Sequence, residues 1–335
     1  MAEKKVNDIN KEVNLLKKEL NLVKRNFRKK FNLIIGELQK LGYNDYEIIL
    51  EPQTEKGLQE YYPSLIEKIT PKKTFKDVVL SNDIKAQLNM ALSQIKNHDV
   101  LMNKWGLSSI QEGNAISLIF SGPSGTGKTL TAEALANDLK KKLYIVRYSN
   151  LVDSYIGETG KNIVRVFESA KKNDSILFFD EADAIASTRT NILTATDSET
   201  NLTRNVLLKE LEKFDGIVIF ATNLASNFDK AFERRINLHI TFKIPSIEDR
   251  EQIWKLLSKT LPLAKDVNFY NLAKEFEFSG GHIKNSVINA ARLAITNNPK
   301  EVKQEHFIKS AKLVKEGRNI MFQLDEDADK LNYLG

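Results

Sequence analysis

A glycine-rich stretch near the middle of the chain has the residue types and the spacing that hold phosphate groups. It reads Gly122-Pro-Ser-Gly-Thr-Gly-Lys-Thr129 and fits the pattern G-x-x-x-x-G-K-[ST]. Its glycines let successive backbone N–H groups close around phosphate oxygens, its lysine neutralises the β- and γ-phosphates, and the Thr129 hydroxyl holds Mg²⁺. The pattern predicts that ATP or GTP binds with Mg²⁺ on Gly122, Pro123, Ser124, Gly125, Thr126, Gly127, Lys128, Thr129 and Leu130.

A pair of carboxylates follows an apolar run later in the chain. Asp180 and Glu181 come directly after the run Ile176–Phe179. An acid at the end of a buried strand is placed to hold Mg²⁺ through water, which is the role predicted for Asp180. Glu181 can then polarise the attacking water. The alternative interpretation is that the two carboxylates only cap the next helix.

Three polar residues beside later apolar runs are further candidates. Asn223 follows the run Ile217–Phe220, and ligands of open α/β sheets sit at the carboxyl ends of strands. We therefore expect Asn223 to reach the γ-phosphate or the attacking water. Arg234 and Arg235 stand just before another apolar run. They are either ordinary surface charge or a pair that stabilises phosphate charge in a neighbouring subunit.

Short apolar runs separated by helix-length segments predict the elements that position these side chains. They indicate an α/β fold of the P-loop class, in which a parallel sheet has helices on both faces. Ser246-Ile-Glu-Asp249 then resembles a capping box with Asp in place of Glu, and it opens a small α-helical lid. The strand-forming runs are Ile116–Phe120, Leu143–Tyr148, Ile176–Phe179, Ile217–Phe220 and Leu238–Phe242.

These patterns divide the chain into consecutive segments. A basic, coiled-coil-like helix is expected over residues 1–42, and a proline-containing connector over 43–70. The large α/β segment is expected over 71–245 and the lid over 246–316. Within the lid, helices are expected near 268–277, 281–297 and 304–316. Residues 317–335 are expected to form an acidic C-terminal tail.

The N-terminal segment combines positive charge with a coiled-coil pattern. Residues 1–41 carry eleven Lys or Arg and five Asp or Glu, so the net charge of +6 lies here. Such a helix can contact nucleic acid or an acidic partner, or simply present a solvated face. Its apolar spacing favours self-association or partner binding over a helix folded onto its own domain. The seam consists of Val6, Ile9, Val13, Leu16, Leu20, Val23 and Phe27.

The composition excludes several classes of protein. The 335 residues contain no cysteine, which excludes disulfides and thiolate metal sites. The four histidines are scattered, which argues against a histidine-rich metal site. The chain has no run of 18 apolar residues and no apolar leader. We therefore expect a soluble, cytoplasmic protein that does not insert into membranes.

In their order along the chain, these motifs resemble those of the AAA+ ATPases, and among them the AAA group that includes katanin and spastin. The resemblance rests on the P-loop, the DEAD stretch, the IVIFATN run, the AFERRI arginines and the GGHIKNS turn. It implies ATP and Mg²⁺ as cofactors and a homo-oligomeric, hexameric ring. It also implies a sensor role for Asn223 and trans-acting fingers at Arg234 and Arg235. Lys284 falls where relatives have a sensor cation or an adenine contact.

Two departures from the family pattern affect the site. Leu80-Ser81 stands where relatives often have a glycine beside the adenine, so the choice of base is less well specified than phosphate binding. The AFERRI stretch lacks the Pro-Gly that usually separates the two arginines. Which arginine crosses the subunit interface therefore stays open.

The loop Ser154-Tyr-Ile-Gly157 bears on the choice between functions. The resemblance implies that it lines the pore of the ring, where Tyr155, with Ile156 beside it, grips a polypeptide; the alternative is a core plug. Aromatic side chains suit gripping because they offer contact area at low entropic cost. We expect an ATP-hydrolysing ring that remodels, threads or disassembles a protein partner, with the N-terminal helix as a docking element. The alternatives are a nucleic-acid-associated regulator or loader, and an assembly switch docked on a larger complex.

Overall fold

A computed structural model of the chain describes residues 65–107, 115–151, 158–183, 195–223, 229–296 and 301–332. All of them belong to one structural unit, Tyr62–Gly335. The predicted coiled-coil helix of residues 1–42 lies outside the described residues, and so does the loop that carries Tyr155 and Ile156.

The described residues contain a 6-stranded sheet with the order β1-β3-β4-β5-β2-β6. Only β1 is antiparallel to its neighbour, and the other pairings are parallel. The predicted parallel sheet is therefore confirmed, with one added edge strand. The strands are β1 (Glu67–Ile69), β2 (Ile116–Ser121), β3 (Leu143–Arg147), β4 (Ile176–Asp180), β5 (Ile217–Thr222) and β6 (Leu238–Thr241).

Burial on both faces explains why the central strands have continuous apolar sequences. Every residue of β2 and of β5 is buried. On one face, Leu118 and Phe120 pack into a core shared with the helices around Leu88 and Leu135. On the other face, Ile119 joins a separate core that holds the helices of residues 158–172 and 195–213. The two cores fix the sheet from both sides, as a parallel sheet requires.

The helices of the large α/β part connect these strands. A π-helical turn at Val100–Lys104 follows the first of them. None of the helices in the described ranges has the length and apolar content needed to cross a lipid bilayer. The helices are α1 (Asn82–Lys96), α2 (Lys128–Asp138), α3 (Tyr148–Leu151), α4 (Glu158–Lys172), α5 (Ala195–Lys213) and α6 (Lys230–Glu233).

The predicted lid is helical and has its own core. In this core the rings of Trp254 and Phe307 pack edge to face, with 5.9 Å between their centroids. Its first helix begins as predicted, because the Ser246 hydroxyl accepts a hydrogen bond from the Asp249 backbone N–H at 3.1 Å. The lid helices are α7 (Ile247–Ser258), α8 (Phe269–Glu275), α9 (Gly280–Thr296) and α10 (Gln304–Asn332).

The end of the chain differs from the prediction. A lid helix ending near residue 316 and a separate acidic tail were expected, yet α10 continues without a break to Asn332. Nine of the 20 residues from 313 to 332 are Leu, Met, Gln, Glu or Lys, which favour helix, and Gly317 is the single glycine there. Acidic composition thus indicated where the charge lies but not the backbone conformation.

Candidate nucleotide-binding site

The glycine-rich loop joins β2 to α2 at the carboxyl edge of the sheet. The Gly122 backbone N–H donates to the Thr222 carbonyl of β5 at 3.1 Å, which ties the loop to the neighbouring strand. The Thr126 hydroxyl donates to the Pro123 carbonyl at 2.8 Å and closes the turn. Helix α2 then begins at Lys128, so the first backbone N–H groups of α2 lie beside the loop. The exposed residues here are Pro123, Ser124, Gly125 and Thr129, with Leu130 partly buried.

Gly122 is the residue at which the loop leaves the sheet, and it leaves no room for a side chain. Its φ is +137°, and a Cβ atom there would lie 1.9 Å from the Phe242 carbonyl oxygen. Since that oxygen belongs to the backbone that follows β6, it cannot move aside as a side chain could. The end of β6 therefore sets the path by which the chain enters the phosphate loop.

We expect Gly122→Ala to destabilise the fold by more than Gly106→Ala does. Gly106 has a φ of +75°, and none of the residues that the structure describes lies within 4 Å of the place that a methyl group would take. This control therefore measures the backbone cost of a side chain at positive φ, about 1–2 kcal/mol. Gly122→Ala adds the clash with the Phe242 carbonyl to such a cost. Urea unfolding of both variants and the wild type measures the difference. Equal losses in the two variants would contradict this reading of the loop.

Lys128 lies at the centre of the site and is buried to 9% exposure. Its Nζ donates to the Gly122 carbonyl at 2.6 Å, to the Pro123 carbonyl at 3.1 Å and to Asn223 Oδ1 at 2.8 Å. Burial lowers the pKa of the ammonium, and the carboxylates of Asp180 and Asp183 oppose that shift. A partly desolvated cation at the N-terminus of a helix attracts a phosphate strongly.

The carboxylates at the end of β4 lie at the same edge. Asp180 is partly buried, and its Oδ1 accepts a hydrogen bond from the Glu181 backbone N–H at 3.1 Å. Glu181 is exposed and has a left-handed φ of +54°. The next N–H, that of Ala182, donates to the Ala221 carbonyl of β5 at 2.8 Å. The chain thus turns sharply after the strand and is held to β5 immediately beyond Glu181.

Asp183 provides a second link between these two strand ends. Its Oδ1 accepts a hydrogen bond from the Thr222 hydroxyl at 3.0 Å. Thr222 directly precedes Asn223, whose side-chain oxygen contacts Lys128. The structure thus brings Lys128, Asp180 and Asn223 together at this edge of the sheet, with Asp183 beside them.

The lid touches the phosphate loop directly. The Gly281 backbone N–H donates to the Gly125 carbonyl at 3.0 Å, and a Cβ on Gly125 would lie 2.8 Å from the Ser279 hydroxyl. The same hydroxyl is hydrogen-bonded to His282 Nδ1 at 2.9 Å. Lys284 is exposed on α9, and within the described residues its side chain forms no hydrogen bond or ion pair. Its predicted sensor role stays a prediction.

Arg234 and Arg235 lie between α6 and β6, apart from this cluster of contacts. Arg235 is bonded to Glu212 and to the Ala231 carbonyl. Arg234 is exposed. No hydrogen bond between described residues joins either arginine side chain to the phosphate loop or to Asp180.

The residues present fit a magnesium–nucleoside triphosphate. The buried Lys128 ammonium and the backbone of the loop suit phosphate oxygens, and the exposed Thr129 hydroxyl with Asp180 suits Mg²⁺, which prefers oxygen ligands. Residues 118–244 match the family model described as "ATPase family associated with various cellular activities (AAA)". The chain contains an AAA domain.

Relatives of the AAA domain come from archaea and bacteria. The proteasome-activating nucleotidase of Archaeoglobus fulgidus is 40% identical over 205 residues, which are 59% of this chain and 52% of that protein. The protein of that name from Aeropyrum pernix is 35% identical over 254 residues, 73% of this chain and 61% of the relative. The ATP-dependent zinc metalloprotease FtsH of Mycoplasma mobile is 30% identical over 249 residues, 72% of this chain and 34% of the relative. The chain thus spans between about a third and three fifths of the length of these relatives.

Several contacts of the AAA domain had no signal in the sequence. The Asp183–Thr222 hydrogen bond joins residues 39 positions apart, and the Glu212–Arg235 pair joins residues 23 apart. Neither spacing belongs to a motif. The close approach of Phe242 to Gly122 likewise depends on strand order, which places β6 beside β2. The DEAD stretch was the only hint, because it contains Asp183.

Proposed function

We propose that this protein is an ATP-hydrolysing AAA ring that remodels, threads or disassembles a protein partner through a central pore. The observation that carries the hydrolytic part of the proposal is the direct contact between Lys128 and Asn223 at 2.8 Å, with Asp180 and Asp183 close enough to favour the charged lysine. A desolvated cation, a polar amide and carboxylates at one point are the groups that phosphoryl transfer to water needs.

Each residue of the cluster has a distinct role in this proposal. Mg²⁺·ATP, when bound, supplies the phosphoryl group and the metal charge that offsets its oxygens. Lys128 and the loop backbone would hold the phosphates, and Thr129 and Asp180 would hold the metal. Glu181, on the exposed turn after β4, orients the attacking water and accepts its proton. Asn223 holds the water or the γ-phosphate from the β5 side.

The names of the relatives favour a protein as the substrate. One name states activation of a proteasome and another states a protease. We extend this to the chain as a proposal: a homo-oligomeric, hexameric ring in the cytoplasm acts on a protein, and the basic segment of residues 1–42, predicted to be helical, docks the substrate or an adaptor. The narrower likeness to katanin and spastin stays a prediction, since it rests on the order of motifs alone.

The test of the proposed function is Tyr155→Ala. A residue that grips the substrate contributes no group to the chemistry, so ring formation and basal ATP hydrolysis should persist. Unfolding of a fluorescent model protein, and the stimulation of ATP hydrolysis by a permanently unfolded polypeptide, should both be lost. Basal hydrolysis, stimulated hydrolysis and unfolding are measured on one preparation.

Tyr155→Phe and Tyr155→Trp are the matched controls. Both should keep much of the unfolding activity, because grip depends on aromatic area rather than on the hydroxyl. If Tyr155 is instead a buried plug, Tyr155→Ala should cost about 3–5 kcal/mol and lower the melting temperature visibly. Stimulation by DNA or RNA with no response to polypeptide would favour the nucleic-acid-associated alternative.

A further inference from the structure

The two adjacent arginines between α6 and β6 are held in different ways. Arg235 donates from Nε to Glu212 Oε1 at 2.8 Å, and its Nη2 contacts the same oxygen. Its Nη1 donates to the Ala231 carbonyl at 2.7 Å. All three guanidinium nitrogens are therefore engaged within the chain, by a carboxylate of α5 and by a carbonyl of α6.

The backbone at Arg235 is fixed as well. The Ser117 hydroxyl, near the start of β2, donates to the Arg235 carbonyl. Two residues later, Asn237 Oδ1 accepts from the Ser117 N–H at 2.7 Å, and the Asn237 N–H donates to the Ser117 carbonyl at 2.9 Å. The turn that carries the arginines is thus joined to β2, the strand that leads into the phosphate loop.

Arg234 has none of these side-chain contacts. Arg234 is exposed, and within the described part of the chain its guanidinium forms no hydrogen bond or ion pair. Its backbone N–H donates to the Lys230 carbonyl at 3.3 Å, which holds the main chain in place while the side chain stays in solvent. The residue before it, Glu233, is also exposed.

We infer that the two arginines have different functions. Arg234 is the cation that reaches the phosphates bound by the next subunit, and Arg235, paired with Glu212, positions Arg234. This rests on the proposed function, since it requires a ring of like subunits. Arg235 cannot serve both roles at once, because contact with a neighbouring phosphate would require it to leave Glu212 and the Ala231 carbonyl. Arg234 can cross the interface without breaking any bond in the described residues.

The Arg235–Glu212 pair is expected to affect the position of Arg234 rather than the stability of the protein. Glu212 and Arg235 keep side-chain exposures of 40% and 31%, and partly exposed ion pairs contribute little to the free energy of unfolding. A small displacement of a catalytic group, by contrast, can cost about 10²-fold in rate. Glu212 is therefore a positioning residue, and its effect should appear in kcat.

The test compares the steady-state ATP hydrolysis of the full chain and four single variants. Arg234→Ala should lower kcat by up to about 10³-fold, toward the worth of an arginine acting in trans. Glu212→Gln and Arg235→Ala should each lower kcat by between about 3-fold and 10²-fold, with KM for ATP changed by less than about twofold. Glu210→Gln, on the same helix, is the matched control and should match the wild type.

Combining the variants tests whether Glu212 acts through Arg234. In an Arg234→Ala background, adding Glu212→Gln should lower kcat no further, since the guanidinium that Glu212 helps to position is already absent. Mixing Arg234→Ala subunits with Lys128→Met subunits should restore hydrolysis, because mixed rings contain interfaces with an intact loop and an intact Arg234. If Arg235→Ala does not fold, Arg235→Lys, which keeps the charge, replaces it in the comparison of kcat.

The opposite assignment gives results of opposite sign. If Arg235 is the group that crosses the interface, Glu212 restrains it. Glu212→Gln should then leave kcat unchanged or raise it, Arg235→Ala should lower kcat by up to about 10³-fold, and Arg234→Ala should have the smaller effect. That outcome would overturn the inference and leave the proposed function intact. A wild-type protein without ATP hydrolysis would instead remove the proposed function itself.

Discussion

Glu181→Gln is expected to lower ATP turnover by roughly 10²–10⁴-fold while ATP binding is retained, the usual worth of a positioned acid–base group. The change removes the basic carboxylate but keeps the size of the side chain. Glutamine also tolerates the left-handed φ of +54° about as well as glutamate does, so no new backbone strain arises. Single-turnover hydrolysis together with equilibrium binding of ATP separates the two effects.

Asp174→Asn is the matched control for Glu181→Gln. Asp174 also carries a carboxylate at a positive φ, +47°, but it lies just before β4, while Glu181 lies just after it. Its carboxylate pairs with Lys141 rather than facing the phosphate loop. Turnover should be unchanged in Asp174→Asn. Near-normal turnover in Glu181→Gln would remove Glu181 from the hydrolytic step.

Lys128→Met is expected to remove most of the stabilisation of the protein by ATP. Hydrogen bonds to charged groups contribute about 1.5–3 kcal/mol each, and 1.4 kcal/mol is a tenfold change in affinity. The variant should therefore bind ATP about 10²-fold more weakly. ATP at about 100 times its Kd stabilises the wild type by about 2.7 kcal/mol, and the same concentration should stabilise the variant by only about 0.4 kcal/mol.

Without nucleotide, Lys128→Met should melt close to the wild type. The variant loses the three hydrogen bonds that Lys128 Nζ donates, but burial disfavours the charged form of Lys128, so removal of the ammonium also eliminates a desolvation cost that offsets this loss. Methionine keeps most of the packing of the stem. Lys142→Met, an exposed change just before β3, is the control and should keep the full response to ATP. A melting shift of wild-type size in Lys128→Met would place the phosphates elsewhere.

The parts of the fold that follow from burial could be predicted from the sequence. Strands β2, β4 and β5 are covered on both faces, so they appear as continuous apolar runs, and their bounds match the prediction to within two residues. The phosphate loop could be predicted because its function requires fixed residue types at fixed spacing. Strand β1 could not, since its three residues, Glu67–Ile69, are not buried and its pairing with β3 depends on the antiparallel return of the chain.

Within the site, the residue types were predictable but their pairings were not. Lys128, Asp180 and Asn223 were predicted from motifs and strand ends, and the structure brings them together. The division between Arg234 and Arg235 depends on Glu212, which belongs to a different helix and carries no motif. Side-chain partners of that kind are set by how helices pack on the sheet, and one sequence does not encode them in a local pattern.

The hydrogen bond between the Gly281 N–H and the Gly125 carbonyl has a mechanical consequence. Gly125 belongs to the phosphate loop, and Gly281 lies on the first turn of the lid helix α9. The two backbones are so close that a methyl group on Gly125 would fall 3.2 Å from the Gly281 Cα. A shift of Gly125 would therefore also shift the start of α9, so this contact couples the phosphate loop mechanically to the lid.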